Sequence, residues 1–272
     1  MELEITDDLD LGKIADSGQC FRIRRLEDGL FRFVTGDKVL YIRSLSPGRF
    51  EAECSPGDWD GVWAPYFDLK RSYSAIRGTI PAKDAYMRRA AGAGSGIRIL
   101  HQSPWETLVS FIISQRKSIP AIQSAVELLC ERYGDAVTTP YETVRLFPLP
   151  AQLSSADTEA LAGCKLGYRT SYVLDAVARA GSGALDMDGL GSCGDAELIE
   201  RLKEVRGVGN KVANCVALFA YGRTALAPVD TWISKVIERE YGGTDPFPAY
   251  GAAAGIMQQY VFYYALNHKS EY

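Results

Sequence analysis

Histidine is nearly missing from this chain, with only His101 and His268 among 272 residues, so a histidine-based metal site has too few ligands. Cysteine occurs six times, at Cys20, Cys54, Cys130, Cys164, Cys193 and Cys215, but never as a Cys-x-x-Cys pair. That scatter argues against a zinc ribbon or an iron–sulfur cluster and leaves reduced thiols. No apolar run reaches membrane-spanning length, and Met1 to Leu11 is acidic where a signal peptide would be basic and apolar. Positive charge is not in excess either. The net charge of −4 counts against a nucleic-acid binder if taken over the whole chain, although affinity depends on where the basic groups lie. There is no repeat, heptad or low-complexity tract. These absences predict a monomeric cytoplasmic protein without a membrane segment, a structural metal or a cofactor, a monovalent ion on a turn carbonyl aside.

What is present is an ordinary globular composition, 47% hydrophobic and 24% charged, long enough for one large domain or two ordinary ones. Residues 1 to about 80 alternate like strands: Cys20 to Arg24, Leu30 to Val34, Val39 to Arg43 and Arg49 to Cys54, separated by turn signals at Glu27-Asp28-Gly29 and Gly36-Asp37. Trp59, Trp63, Tyr66, Phe67 and Leu69 follow as packing residues. From Ser74 the periodicity is helical to the end. It predicts helices over 75–92, 105–113, 119–133, 155–162, 171–180, 196–204, 210–221, 231–241 and 251–267. The fold class is therefore α+β: an N-terminal antiparallel β-sheet domain, 1–80, followed by an all-helical domain, 81–272.

One stretch carries chemistry. The helix over 196–204 breaks at Val205-Arg206-Gly207-Val208-Gly209 and another begins at once, giving helix, tight turn, helix. Glycines at Gly207 and Gly209 permit backbone angles and approaches that a Cβ forbids, so N–H groups around Val208 can converge on an anion at the new helix N-terminus. Lys211 lies in that helix's first turn, where the dipole and partial burial disfavour its charged form and leave a nucleophilic amine. Asp230, after Pro228-Val229 and before the next helix, is placed to cap it and to stay ionised. Each residue alone has an ordinary reading as turn, solvated lysine or cap. The conjunction points to an amine and a carboxylate sharing a site beside a phosphate clamp.

Other polar positions fit the same picture. Gln115, Arg116 and Lys117 form a polar break between two apolar helices, suited to a nucleic-acid backbone or an unpaired base, though such loops are commonly solvated surface. Tyr168 and Arg169 follow Gly167 at a helix start, where an aromatic can enter a base stack beside a guanidinium. Gly18 exposes a carbonyl at the entry to the first strand. Gln258 and Phe262 lie one above the other on a late helix, the first able to hydrogen-bond a base and the second to stack on it.

Taken together, Ser17-Gly18-Gln19-Cys20-Phe21-Arg22, Tyr66-Phe67-Asp68-Leu69, Ser110-Phe111-Ile112-Ile113-Ser114, Leu166-Gly167-Tyr168-Arg169 and Gly207 through Cys215 with Pro228-Val229-Asp230 resemble the helix-hairpin-helix DNA glycosylases. The resemblance is closest to the 8-oxoguanine DNA glycosylases with lyase activity, and covers nearly the whole chain. It implies damaged double-stranded DNA as partner and action at a bacterial nucleoid. Lys211 would be the Schiff-base nucleophile, Asp230 the essential carboxylate, and the backbone of Gly207 and Gly209 the phosphate grip. Tyr168 would wedge the duplex and Arg169 would meet the orphaned base. Gly18 would offer its carbonyl to the N7–H that 8-oxoguanine has and guanine lacks, while Cys215, Gln258 and Phe262 would line the base pocket. Cys215 also fits independently, one turn after Lys211 on the same helix face.

The chain departs from that pattern in three places. Gln115-Arg116-Lys117-Ser118 stands where relatives often carry asparagines, Ala121 where animal enzymes have a second cytosine-reading arginine, and Trp232 where histidine is usual. The first two imply relaxed discrimination of the opposite base. Two alternatives compete: a monofunctional alkylpurine glycosylase, which uses water and needs no lysine at 211, and a non-catalytic DNA-binding scaffold that keeps only the hairpin. Lys211 and Cys215 favour the oxidised-purine reading.

Overall fold

The structure is a computed structural model and describes residues 1–271. Contacts divide the chain into two compact units, one formed by Met1–Phe33, Val39–His101 and the chain from Gly222 on, the other by Val34–Lys38 and Gln102–Tyr221. The switch from strands to helices near residue 80 thus falls inside the first unit.

The N-terminal region builds a five-stranded antiparallel sheet from β1 (Glu2–Glu4), β2 (Arg24–Arg25), β3 (Phe31–Thr35), β4 (Lys38–Ser46) and β5 (Arg49–Glu53), in the order β1-β5-β4-β3-β2. Leu3 faces Phe50 and Ile42 faces Ala52 across the ladders, with a register shift between Ser44 and Ser46. Period-two alternation sends Phe33, Leu40, Ile42, Phe50 and Ala52 to one buried cluster with Trp59, Trp63, Tyr66 and Phe67. Their rings meet edge to face, Phe33 and Phe67 at 5.0 Å and Trp63 and Tyr66 at 5.4 Å, so these aromatics are core.

Three sequence expectations fail here. The run from Cys20 to Arg24 is not a full strand: only Arg24–Arg25 pairs, because Cys20 through Ile23 are all buried and present no solvent face. Leu11–Asp16 is a short helix, α1, started by Asp10, whose side chain accepts from the Lys13 N–H at 2.9 Å. The helix expected over 75–92 is likewise two, α2 (Tyr73–Gly78) and α3 (Ala85–Ala93), capped by Ser72 and Asp84 on either side of Pro81.

The second unit begins with α4 (Pro104–Ser114), buried at every position from Trp105 to Ser114, and α5 (Ile119–Tyr133), whose first turn holds Pro120. An unforeseen hairpin of β6 (Ala136–Thr138) and β7 (Thr143–Arg145) follows, so this region is not purely helical. The helix expected over 155–162 is a single turn, Thr158–Leu161, capped by Asp157. Then come α6 (Thr170–Gly181), α7 (Asp195–Lys203) and α8 (Asn210–Phe219); α8 packs on α4 and α7, with Phe111 and Phe219 stacked at 5.5 Å.

The chain from Gly222 adds α9 (Thr231–Tyr241) and α10 (Ala254–Asn267) to the first unit. Helix α10 is buried from Ala254 to Val261 and packs on α3 and α9. It starts three residues later than its apolar pattern predicts, since a 3₁₀ stretch over Phe247–Ala253, kinked at Gly251 with φ +53°, precedes it. Among the described residues no helix is long and apolar enough to cross a membrane.

Candidate active site

The hairpin forms where the sequence places it. Helix α7 ends at Lys203, the Val208 N–H closes on the Val205 carbonyl at 3.0 Å, and α8 starts at Asn210. Val205 and Val208 are buried and hold the turn down, while Gly207 and Gly209 face out. Gly207 is required twice over: its φ is +80°, and a Cβ there would lie 2.3 Å from the Tyr172 ring. Gly209 is different. Its φ of −102° suits any residue, and a Cβ would meet nothing within 4 Å. The fold itself does not ask for a glycine at that position.

Helix α8 has no side-chain cap and no acidic residue in its first turn, so its leading N–H groups lack a side-chain acceptor from the cap. The turn is braced from α6. The Asp175 carboxylate accepts the Arg206 backbone N–H at 2.8 Å and the Arg179 Nε at 3.0 Å, and the Arg206 guanidinium lies over Tyr172 at 5.8 Å.

Lys211 is half-buried in the first turn of α8, its Nζ 5.0 Å from the centroid of Phe111 on α4. Cys215 is buried one turn further along the same helix. Asp230 is the N-cap of α9, as its position predicts, accepting the Ile233 N–H at 2.9 Å while remaining half-buried. Trp232 is half-buried with the Lys235 ammonium 4.9 Å over its ring.

Tyr168 stands 51% exposed on a 3₁₀ turn opened by Gly167 at φ +62°, edge-on to Tyr172 at 5.8 Å. Arg169 points the other way: it is 6% exposed, with Nε donating to the Gln115 carbonyl at 2.7 Å, Nη2 to the same oxygen and Nη1 to the Leu166 carbonyl at 3.1 Å. Its guanidinium also lies 4.3 Å over Tyr168. The loop partner of this clasp carries Arg116, exposed at φ +55°, and Lys117, whose ammonium donates to the Lys165 carbonyl at 2.8 Å. Burial, with the charges of Arg169 and Lys165, lowers the Lys117 pKa.

Gly18 has φ +72° and follows the buried Ser17. Gln258 is 4% exposed, and its Oε1 has no hydrogen-bond partner among the described residues, whereas Phe262 is half-buried. A buried amide oxygen left open costs about 1–3 kcal/mol. The sequence reading missed Gln259, which donates to the Ser17 carbonyl at 2.7 Å. The signal was there: two consecutive amides in an otherwise apolar helix.

Lys211, Cys215, Gln115, Arg116, Lys117, Tyr168, Arg169, Gly207, Val208 and Gly209 thus belong to the second unit, and Gly18, Asp230, Gln258 and Phe262 to the first. Among the described residues no group of three or more His, Cys, Asp or Glu side chains is placed to hold a metal ion. A cavity of about 460 Å³ lies on the first unit between Lys83, Asp84, Arg89, Glu240 and Tyr241 and includes none of the candidate residues.

Comparison with known proteins adds the following. Residues 2–108 match the family model described as the 8-oxoguanine DNA glycosylase N-terminal domain, and residues 109–253 match that of the HhH-GPD superfamily base excision DNA repair proteins. A solved structure of MBOgg1 in complex with a low-affinity DNA ligand is 33% identical, with a TM-score of 0.92 over 98% of this chain and 96% of that one. The Clostridium acetobutylicum 8-oxoguanine glycosylase/lyase, in complex with double-stranded DNA containing cytosine opposite 8-oxoG, is 31% identical, with a TM-score of 0.90 over 99% of this chain and 98% of that one. The N-glycosylase/DNA lyase of Saccharomyces cerevisiae is 34% identical over 176 residues, 60% of this chain but 46% of that enzyme, so the match spans under half the yeast protein.

Proposed function

The chain belongs to the HhH-GPD superfamily of base excision DNA repair proteins and carries the N-terminal domain of the 8-oxoguanine DNA glycosylases; from that premise we propose that it excises 8-oxoguanine from duplex DNA and cleaves the abasic strand. The observation that carries the proposal is Lys211: an amine in the first turn of an uncapped helix, directly after a two-glycine turn, lying against the Phe111 ring. A water-using glycosylase has no need of that side chain.

The steps follow from the groups available. The outward N–H groups of the hairpin take a phosphate, and Tyr168 enters the stack as the damaged nucleotide leaves it. The Gly18 carbonyl accepts the N7–H of 8-oxoguanine, Gln258 pairs its open oxygen with a donor on the base edge, and Phe262 covers the base. As the C1′–N9 bond breaks and positive charge grows on the sugar, the Asp230 carboxylate stabilises it. The Lys211 amine forms the C1′–Nζ bond, the base departs with the bonding pair, and loss of a proton from nitrogen opens the sugar to an imine. Removal of a C2′ proton then expels the 3′-phosphate by β-elimination. Arg116, the exposed residue of the Gln115–Lys117 loop, meets the opposite strand, whereas Arg169, expected from the sequence to contact the orphaned base, is turned inward and braces that loop through the Gln115 carbonyl. The site of action is the DNA of the cytoplasm.

Borohydride reduction tests this directly. Wild-type protein on an 8-oxoguanine duplex gives a covalent protein–DNA adduct, and Lys211→Gln gives none. Absence of an adduct from active wild type removes the lyase step, and preference for 3-methyladenine over 8-oxoguanine removes the substrate.

A further inference from the structure

Helix α10 places two amides side by side in a buried apolar stretch, Gln258 and Gln259, flanked by Met257 and Tyr260, which are fully buried. A buried amide costs stability unless it is paired, so each should have a purpose. Consecutive helical residues point about 100° apart, and the two serve different ends. Gln258 keeps an open oxygen. Gln259 is spent inside the protein, its Nε2 reaching the carbonyl of Ser17, the residue immediately before Gly18, at 2.7 Å.

The surroundings of Gly18 are held with unusual completeness. The Ser17 N–H donates to the Ile14 carbonyl at 3.2 Å and its hydroxyl to the same carbonyl at 2.7 Å. On the other flank the Gln19 amide is fixed at both ends: Nε2 donates to the Ser17 Oγ and the Arg98 carbonyl, both at 2.9 Å, and Oε1 accepts the Leu100 N–H at 2.8 Å. Ser17, Gln19 and Gln259 are each at most 2% exposed. Only Gly18 lies between, half-buried at φ +72°. Its neighbours are held on both sides, and the bond from Gln259 ties the Ser17–Gly18 peptide to the helix that carries Gln258.

We propose that Gln259 is a positioning residue for base discrimination: by holding the Ser17 carbonyl it aims the Gly18 carbonyl at the purine N7 and registers that acceptor against Gln258. The inference rests on the reading above in which Gly18 meets N7. The physical need is plain. An acceptor facing N7–H gains a hydrogen bond, and facing the lone pair of guanine it meets another acceptor; the contrast fades when the oxygen swings away. Holding it within about 0.5 Å and 10–20° takes a support shell of this kind.

The test compares a substrate with a base to read and one without. Gln259→Met keeps the length and removes the donor. On an 8-oxoguanine:cytosine duplex its single-turnover excision falls about tenfold, and its preference for binding that duplex over guanine:cytosine shrinks by a similar factor, the scale of one misdirected hydrogen bond. Borohydride trapping on a preformed abasic duplex stays within about twofold of wild type, since no base is read there and the lysine is untouched. Gln259→Glu adds a second readout: its ratio of excision to abasic trapping rises as pH is lowered and the carboxyl gains a proton to donate to Ser17. Unchanged selectivity in Gln259→Met, parallel loss of excision and abasic trapping, or a flat ratio for Gln259→Glu would each overturn the proposal. Wild-type protein that neither excises nor traps marks failure of the underlying reading instead.

Discussion

In the proposed reaction Asp230 has two tasks in one carboxylate, and they can be separated. As the N-cap of α9 it satisfies the Ile233 N–H, a bond that asparagine makes about equally well. As the charge that stabilises a cationic sugar it has no substitute of the same shape. Asp230→Asn should therefore leave the melting temperature close to wild type and lower single-turnover excision on the order of a thousandfold. A variant that keeps its excision rate would remove Asp230 from the reaction. The residue's position was legible in the sequence because a cap reads only its own next three residues. Arg169 was legible in a different sense: its place beside Tyr168 could be read, but its inward turn could not, since that depends on where the Gln115 carbonyl, just past α4, comes to lie.

The hairpin is the element whose two glycines look alike in sequence and differ in structure. Gly207→Ala puts a Cβ into the Tyr172 ring at a left-handed backbone position, a cost of about 2 kcal/mol or more. Gly209→Ala meets only open space at an ordinary φ, so its effect on stability should stay under about 1 kcal/mol. Both should weaken duplex binding, Gly209→Ala by about tenfold, because its methyl group stands where a phosphate would approach. Thermal melts beside binding isotherms separate the two. If Gly209→Ala binds as wild type does, no phosphate comes close there. Other elements show the same division between local signal and context. The helices over 119–133 and 231–241 were read to the residue, the first closed by Gly134 and the second framed by Asp230 and Gly242. The β6–β7 hairpin was missed because three-residue strands are too short to show a period. The break in the helix over 75–92 was announced by Pro81 and overridden by the apolar spacing around it.

For the molecule as a whole, the titrating groups set an acid limit. Burial lowers the pKa of His101, with Arg71 adding to it and Asp68 opposing, and its Nε2 has no hydrogen-bond partner among the described residues. Burial acts to raise Asp7, but hydrogen bonds from Ser74 and Tyr73 and the Arg98 charge outweigh it and bring its pKa below the usual carboxylate value. Both groups bind a proton more readily in the unfolded chain. Their stabilisation is complete above the unfolded pKa, near 6.5 for His101 and 3.8 for Asp7, and is lost as pH falls through the lower folded value. Denaturant titrations between pH 7 and 5 should show declining stability, at most about 1.4 kcal/mol per pH unit for one proton, and His101→Gln should flatten that slope. An unchanged slope in the variant would assign the decline to other groups.

The sequence by itself determined what short-range physics can encode: the strand alternation, most helix ends, the glycine turn, a lysine in the following turn and an aspartate cap. Each depends on residues within about one helical turn, where sterics and backbone hydrogen bonding are set by neighbours in the chain. Tertiary structure alone decided which buried donor meets which open carbonyl. Gln259 finding Ser17, Gln19 finding Leu100 and Arg169 finding Gln115 join positions far apart in the chain. Such pairings follow from which backbone groups the packed elements leave unsatisfied, a quantity that exists only once the elements have met.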